Sequence, residues 1–177
     1  MMTTKFKAGE IFPDIELATL EGSTIKLGQP QDGASWRLVV IYRGKHCPLC
    51  TRYLKELETL REQFIEMGVD VVAASADSHA QLSAHMADLT LQFPIAYGLT
   101  VEQMKVLGVY ISNPRSDQET DHPFAEPGLF VVNDQGQVQI VDISNAPFAR
   151  PDLKTLLSGI GFIRNPANHY PIRGTYQ

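Results

Sequence analysis

A short β-branched run, Leu38-Val39-Val40-Ile41, leads through Arg43-Gly44-Lys45-His46 into Cys47-Pro48-Leu49-Cys50, where a helical pattern starts. From Pro48 onward, Leu54, Leu57, Leu60, Phe64 and Met67 recur at spacings of three and four, and Gly68 follows as a stop. Such a run is short enough for a strand buried on both faces, which points to a central sheet covered by helices. The two cysteines are the only ones among 177 residues.

The rest of the chain fits that plan. Residues 10–28 form a short extended pair, with Ile15 and Leu17 alternating before a Glu21-Gly22 turn and Ile25 and Leu27 after it. Residues 69–74 make a second strand, and Ser75-Ala76-Asp77-Ser78 supplies caps for a helix over about 79–88. A short extended piece over 93–96 and a helix over 101–107, ended by Gly108, come next. Beyond a polar stretch over 112–122, Leu129-Phe130-Val131-Val132 and Val138-Gln139-Ile140-Val141 flank a turn at 133–136. Residues 151–160 are a final helix with Pro151 in its first turn. The expected fold class is α/β, with a central mixed sheet flanked by helices and an N-terminal β-hairpin extension. There is no repeat, so one domain over residues 1–164 and a tail over 165–177 are expected.

Composition narrows the function classes. A net charge of −5, with no basic run, argues against nucleic acid and anionic membranes as partners. No stretch approaches the roughly 20 apolar residues of a membrane span, and the first ten residues lack a secretory pattern. The expected address is the cytoplasm, where thiols are kept reduced, so a structural disulfide is not the reason for this pair.

The local sequence activates a thiol. Cys47, between strand and helix, meets free amide N–H groups and the positive end of the helix dipole, both of which favour thiolate. Pro48 suits the first turn because its missing N–H has no partner there anyway. Arg43, Lys45 and His46 add positive or potential charge, and an imidazolium at His46 would favour the Cys47 thiolate further. Positions i and i+3 share a helix face, so Cys50 can close a disulfide with Cys47. Structural zinc needs four ligands, and no second pair accompanies this one, so no metal and no cofactor are expected. Haem attachment needs histidine after Cys50, where Thr51 stands.

Over nearly its whole length the chain resembles the peroxiredoxin-like branch of the alkyl hydroperoxide reductase/thiol-specific antioxidant family. The likeness rests on the segment from Gly9 to Leu17 with Gly22, on Ser75-Ala76-Asp77-Ser78-His79, on Phe93-Pro94, on Leu107-Gly108-Val109 and on the hairpin from Leu129 to Gly136. It implies a thioredoxin-like fold with additions at the N-terminus.

Two alignments of the site follow from the resemblance. In the peroxiredoxin frame Cys50 takes the peroxide-attacking position, Cys47 replaces a threonine, Arg43 replaces a proline, and Pro127 stands where an activating arginine is expected. Arg150, Arg164 and Arg173 could supply a guanidinium from elsewhere, and the segment 170–174 could fold back over the site. In the thioredoxin frame Cys47 attacks and Cys50 resolves. Pro127 there matches a cis-proline that docks substrate beside Cys47, while His46 replaces tryptophan and Ile41 a proton-moving aspartate. Thiol–disulfide exchange is the leading expectation, with Cys47 the more exposed thiol. Thiol-dependent peroxide reduction and a non-catalytic metal-binding or structural module are the alternatives. The implied partners are a peroxide or protein disulfide and a reducing system such as thioredoxin or glutathione; the oligomeric state stays open, a homodimer included.

Overall fold

The computed structural model describes residues 6–177. The first five residues of the expected domain lie outside the described residues. Strands β1 (Glu16–Thr19) and β2 (Thr24–Lys26) form the N-terminal hairpin, followed by β3 (Trp36–Ile41), α1 (Pro48–Glu66) and β4 (Val69–Ala74). Then come α2 (His79–His85), β5 (Ile95–Tyr97), α3 (Val101–Leu107), β6 (Ile111–Ser112) and β7 (Phe124–Ala125). The chain continues with β8 (Gly128–Val132), β9 (Val138–Ile143) and α4 (Leu153–Arg164), and a 3₁₀ turn at Pro166–Asn168 opens the tail.

Seven strands join in the order β2-β1-β5-β4-β3-β8-β9. β3 pairs parallel with β4 and antiparallel with β8, and β8 pairs antiparallel with β9. The C-terminal ends of β3, β4 and β9 and the N-terminal end of β8 therefore meet at one edge. Ile41 stands opposite both Ala74 and Gly128, and Gly128 opposite Ile143. Whatever follows these residues is delivered to the same place as Cys47.

Alternation along β3 divides the core. Leu38 and Val40 pack with α1 and α4, while Val39 and Ile41 pack against the hairpin side and α3. α1 buries Leu54, Leu57, Leu60 and Phe64 along one stripe. Each such side chain contributes about 1.5–3 kcal/mol of hydrophobic stabilisation. Gly68 ends this helical segment at φ +78, and a Cβ there would lie 2.9 Å from Arg164 Nη2.

The β3 run carries a charge that periodicity does not announce. Arg37 is fully buried opposite Asp70, with Nε 2.9 Å from Oδ1 and Nη2 2.7 Å from Oδ2. Arg37 Nη1 also donates to Lys26 O at 3.0 Å, and Gln31 N to Asp70 Oδ2 at 2.9 Å. This pair ties the hairpin to the central strands.

Several boundaries differ from expectation. The last helix begins at Leu153, because Asp152 rather than Pro151 caps it, with Oδ2 accepting from Thr155 N. The second helix stops at His85. The polar stretch is bracketed by β6 and β7, a two-stranded ribbon outside the main sheet. No helix among the described residues is long and apolar enough to cross a membrane.

Candidate active site

Cys47 caps α1 from extended backbone, and its Sγ accepts the Cys50 N–H at 3.2 Å. Both thiols are free and both are buried, Cys47 at 1% exposure and Cys50 at 0%. Cys47, expected to be the more exposed thiol, keeps only that 1% against none for Cys50, so both sulfurs lie out of solvent. Phe124 on β7 packs its ring 4.5 Å from the His46 ring and 4.7 Å from the Arg43 guanidinium, which sets the β6–β7 ribbon against the cysteine loop.

The two sulfurs ionise differently. Hydrogen bonding from the Cys50 side chain is the largest influence on Cys47. Burial opposes it, and the Cys50 N–H, Arg43 and the charge of Arg150 add to it, bringing Cys47 down to about 6. Burial pushes Cys50 strongly up, the Cys47 partner adds to this, and Arg150 opposes it. These opposite shifts favour Cys47 over Cys50 as the sulfur that ionises.

Arg150 brings a guanidinium to Cys50. Its Nη2 donates to Cys50 Sγ at 2.8 Å, its Nε to Pro147 O at 2.7 Å, and its plane lies 4.6 Å over the Tyr53 ring. Its Nη1 is buried with no hydrogen-bond partner. Sequence alone gave Arg150 no priority over Arg164 and Arg173. Those two lie elsewhere: Arg164 donates to Ser35 Oγ at 3.0 Å before β3, and Arg173 packs on Tyr170 beside a cleft lined by Phe6 and Gln139. The 170–174 segment accordingly lies away from the cysteines, near the start of β9. The topology was the missing signal, since β9 ends at the cysteine edge.

Arg43 reaches the Cys47 side and pairs with Glu126, Nε to Oε2 at 3.2 Å, while Ser112 Oγ donates to Glu126 Oε1 at 2.7 Å. His46 sits beside them, and burial followed by the Arg43 charge lowers its pKa. Both influences disfavour the imidazolium that would have supported the Cys47 thiolate, and both ring nitrogens are buried without partners. Pro48 occupies the first turn of α1.

The Pro127 expectation also changes. Every peptide bond among the described residues is trans, Glu126–Pro127 included. Glu126 N donates to Tyr110 O and Pro127 O accepts from Ser144 N, so the chain runs extended from β7 into β8. Pro127 lines a small cleft with Tyr53 and Arg150.

Asp77, buried at 1%, organises the approach to the cysteines. Its Oδ2 accepts the Lys45 N–H at 2.8 Å, and its Oδ1 lies 3.3 Å from His122 Nε2. Gly44, at φ +140, lets the loop pass so closely that a Cβ would lie 2.5 Å from Asp77 Oδ1. Behind the loop, the hydroxyl of Thr51 lies 2.7 Å from Nε2 of the buried His85. This site can hold a thiolate, a second thiol in contact with it, and a fixed cation on that second sulfur.

Residues 8–141 match the model of the AhpC/TSA family. Alkyl hydroperoxide reductase C of Escherichia coli K12 is 24% identical over 169 residues, covering 96% of this chain and 85% of that protein. Among solved structures, a cysteine-to-serine mutant of peroxiredoxin 6 from Arenicola marina superposes with a TM-score of 0.76 at 20% identity, covering 92% of this chain and 75% of that one. AhpC of Mycobacterium tuberculosis gives a TM-score of 0.73 at 18% identity, covering 92% and 96%. The fold they share with this chain is thioredoxin-like.

Proposed function

This chain belongs to the AhpC/TSA family of thiol oxidoreductases, and we propose from that premise that it cycles Cys47 and Cys50 between dithiol and disulfide, with Cys47 as nucleophile. The observation that carries this reading is the Cys50 N–H donating to Cys47 Sγ at the start of α1, which favours thiolate on Cys47. The Cys47 thiolate attacks a substrate disulfide, an S–S bond forms, and the leaving thiolate takes a proton. Cys50 then gives up its proton and attacks the Cys47 sulfur, releasing the second substrate thiol and closing the Cys47–Cys50 disulfide. The Arg150 guanidinium stabilises Cys50 as a thiolate during that second step, a task for which this chain has no buried aspartate at Ile41. A thioredoxin- or glutathione-type donor in a reducing, cytoplasmic setting restores the dithiol.

A second reading is favoured by the same arginine. With Nη2 on Cys50 Sγ and Nη1 free of partners, Arg150 could orient a peroxide oxygen against a Cys50 thiolate. Cys50 would become a sulfenic acid as water or alcohol leaves, and Cys47 would condense with it, releasing water. Single variants separate the two. In the first reading Cys50→Ser, which keeps Cys47, traps mixed disulfides. Rapid sulfenic acid formation in Cys47→Ser, which keeps Cys50, would reverse the roles.

A further inference from the structure

The tail has no periodic sequence, yet it is folded against α4 and the N-terminal segment, and a cleft of about 570 Å³ lies between them and β9. Ile140 and Val141 line this cleft from β9, Phe6 and Lys7 from the N-terminal segment. Ile163 lines it from the end of α4, and Tyr170 and Arg173 from the tail. Both sides are anchored. The Phe6 ring packs 6.5 Å from that of Phe12 and 6.1 Å from that of Phe130, and Gly9 N donates to Val138 O at 2.8 Å. Tyr170 meets the Phe162 ring edge-on at 5.7 Å, and Asn168 Nδ2 donates to Phe162 O at 2.9 Å. The tail then returns to the N-terminal segment, where a Cβ on Gly9 would lie 3.3 Å from Thr175 Cγ2.

The charge of the lining is one-sided. It holds Lys7 and Arg173 and no carboxylate, on a chain with 20 acidic and 15 basic residues. Neither cation has an ion-pair partner among the described residues. Arg173 lays its guanidinium 4.8 Å over the Tyr170 ring, which engages the face of the cation but not its N–H edge. We propose that this cleft binds an aryl carboxylate. It is a second site, since none of its lining residues belongs to the cysteine loop, α1 or the β6–β7 ribbon.

The chemistry of the lining sets the class of ligand. A carboxylate pairs with Lys7 and with the edge of Arg173, where two parallel N–H groups match its two oxygens. Its ring is covered by Ile140, Val141 and Ile163, and contact with the Phe6 and Tyr170 rings adds to what burial alone contributes. The volume lies in the range of small-molecule sites. A small inorganic anion satisfies the cations but leaves the apolar lining in water. An uncharged arene covers that lining but leaves both cations without a partner. Only a molecule with both parts uses the whole cleft.

The test titrates the reduced full chain with naphthoate, followed by ligand fluorescence and by the methyl resonances of Ile140, Val141 and Ile163. Naphthoate should saturate and shift those methyls. Naphthol carries the ring without the charge and acetate the charge without the ring, and each should bind more weakly by roughly tenfold or more. Lys7→Glu and Arg173→Glu, both at exposed positions, should each weaken naphthoate binding roughly tenfold and leave naphthol binding unchanged. Naphthoate that binds no better than acetate, or binding that neither charge reversal changes, overturns the site. Octanoate that binds more tightly than naphthoate overturns the aryl assignment. Methyl resonances that move with protein concentration and ignore naphthoate mean that a second copy of the chain covers the cleft, and the proposal then fails.

Discussion

Arg150 Nη2 donates to Cys50 Sγ at 2.8 Å, across a hundred positions of chain. The contact is braced from both sides. Tyr53, one turn past Cys50 on α1, lies under the guanidinium and donates its hydroxyl to Pro151 O at 2.7 Å. The loop that carries the cation is thus tied to the helix that carries the sulfur. A guanidinium keeps its charge at every working pH, so Cys50 always has a cation beside it.

Replacing Arg150 with methionine should slow closure of the Cys47–Cys50 disulfide by roughly 10–100-fold, the loss of a hydrogen bond to a charged group. Mixed disulfides on Cys47 should accumulate and be visible by quenched mass spectrometry. Arg150→Lys should recover part of the rate, because charge returns without the planar fork. An unchanged closing rate in Arg150→Met would remove the arginine from this step.

Mild oxidation should lower the mass of the monomer by one pair of hydrogens and abolish both free thiols. The Cys50 amide already reaches Cys47 Sγ, so the two cysteines meet within the first turn of α1. Thiols that persist under oxidised glutathione would count against redox cycling.

Thiolate absorbance of the reduced protein should rise through about pH 6 as Cys47 ionises. The stability of the reduced form should follow. Cys47 has a folded pKa below its unfolded value, so the unfolded chain binds the extra proton between about pH 6 and the ordinary thiol range. Stability therefore increases with pH across that window and is lost as pH falls through 6. The oxidised form has no such proton to release, so the stability difference between the two forms should change with pH there. Denaturant titrations of both forms at several pH values measure it, and parallel pH profiles would refute the assignment.

Replacing Asp70 with alanine should cost about 3–5 kcal/mol, because Arg37 would remain buried and charged without its partner. Chemical denaturation should show the loss directly. Arg37→Met with Asp70→Leu should recover much of it, since apolar replacement of both partners avoids the desolvation penalty. A small effect from Asp70→Ala alone would mean water reaches the guanidinium.

Much of the fold was legible because its signals are local. The period of three to four from Leu54 to Phe64, the Ser78 cap and the Gly108 stop each act within a turn of chain, and α1, α2 and α3 stand where those signals put them. Pro151 misled because the competing cap at Asp152 lies one residue on. The β6–β7 ribbon was not legible. Strands of two residues have no period, and their pairing joins residues more than ten apart across a polar segment.

The site divides along the same line. The sequence by itself determined that Cys47 and Cys50 lie one turn apart at a helix start, because backbone geometry sets the reach of i and i+3. Burial of Cys47, the setting that disfavours charge on His46, the trans bond at Pro127 and the choice of Arg150 over Arg164 were decided only by the tertiary structure. Each depends on which distant segments the sheet order brings to the edge beyond Ile41, Ala74, Gly128 and Ile143. Strand order is a long-range outcome of core packing, and no window of neighbouring residues encodes which side chain will fill the space above a given sulfur.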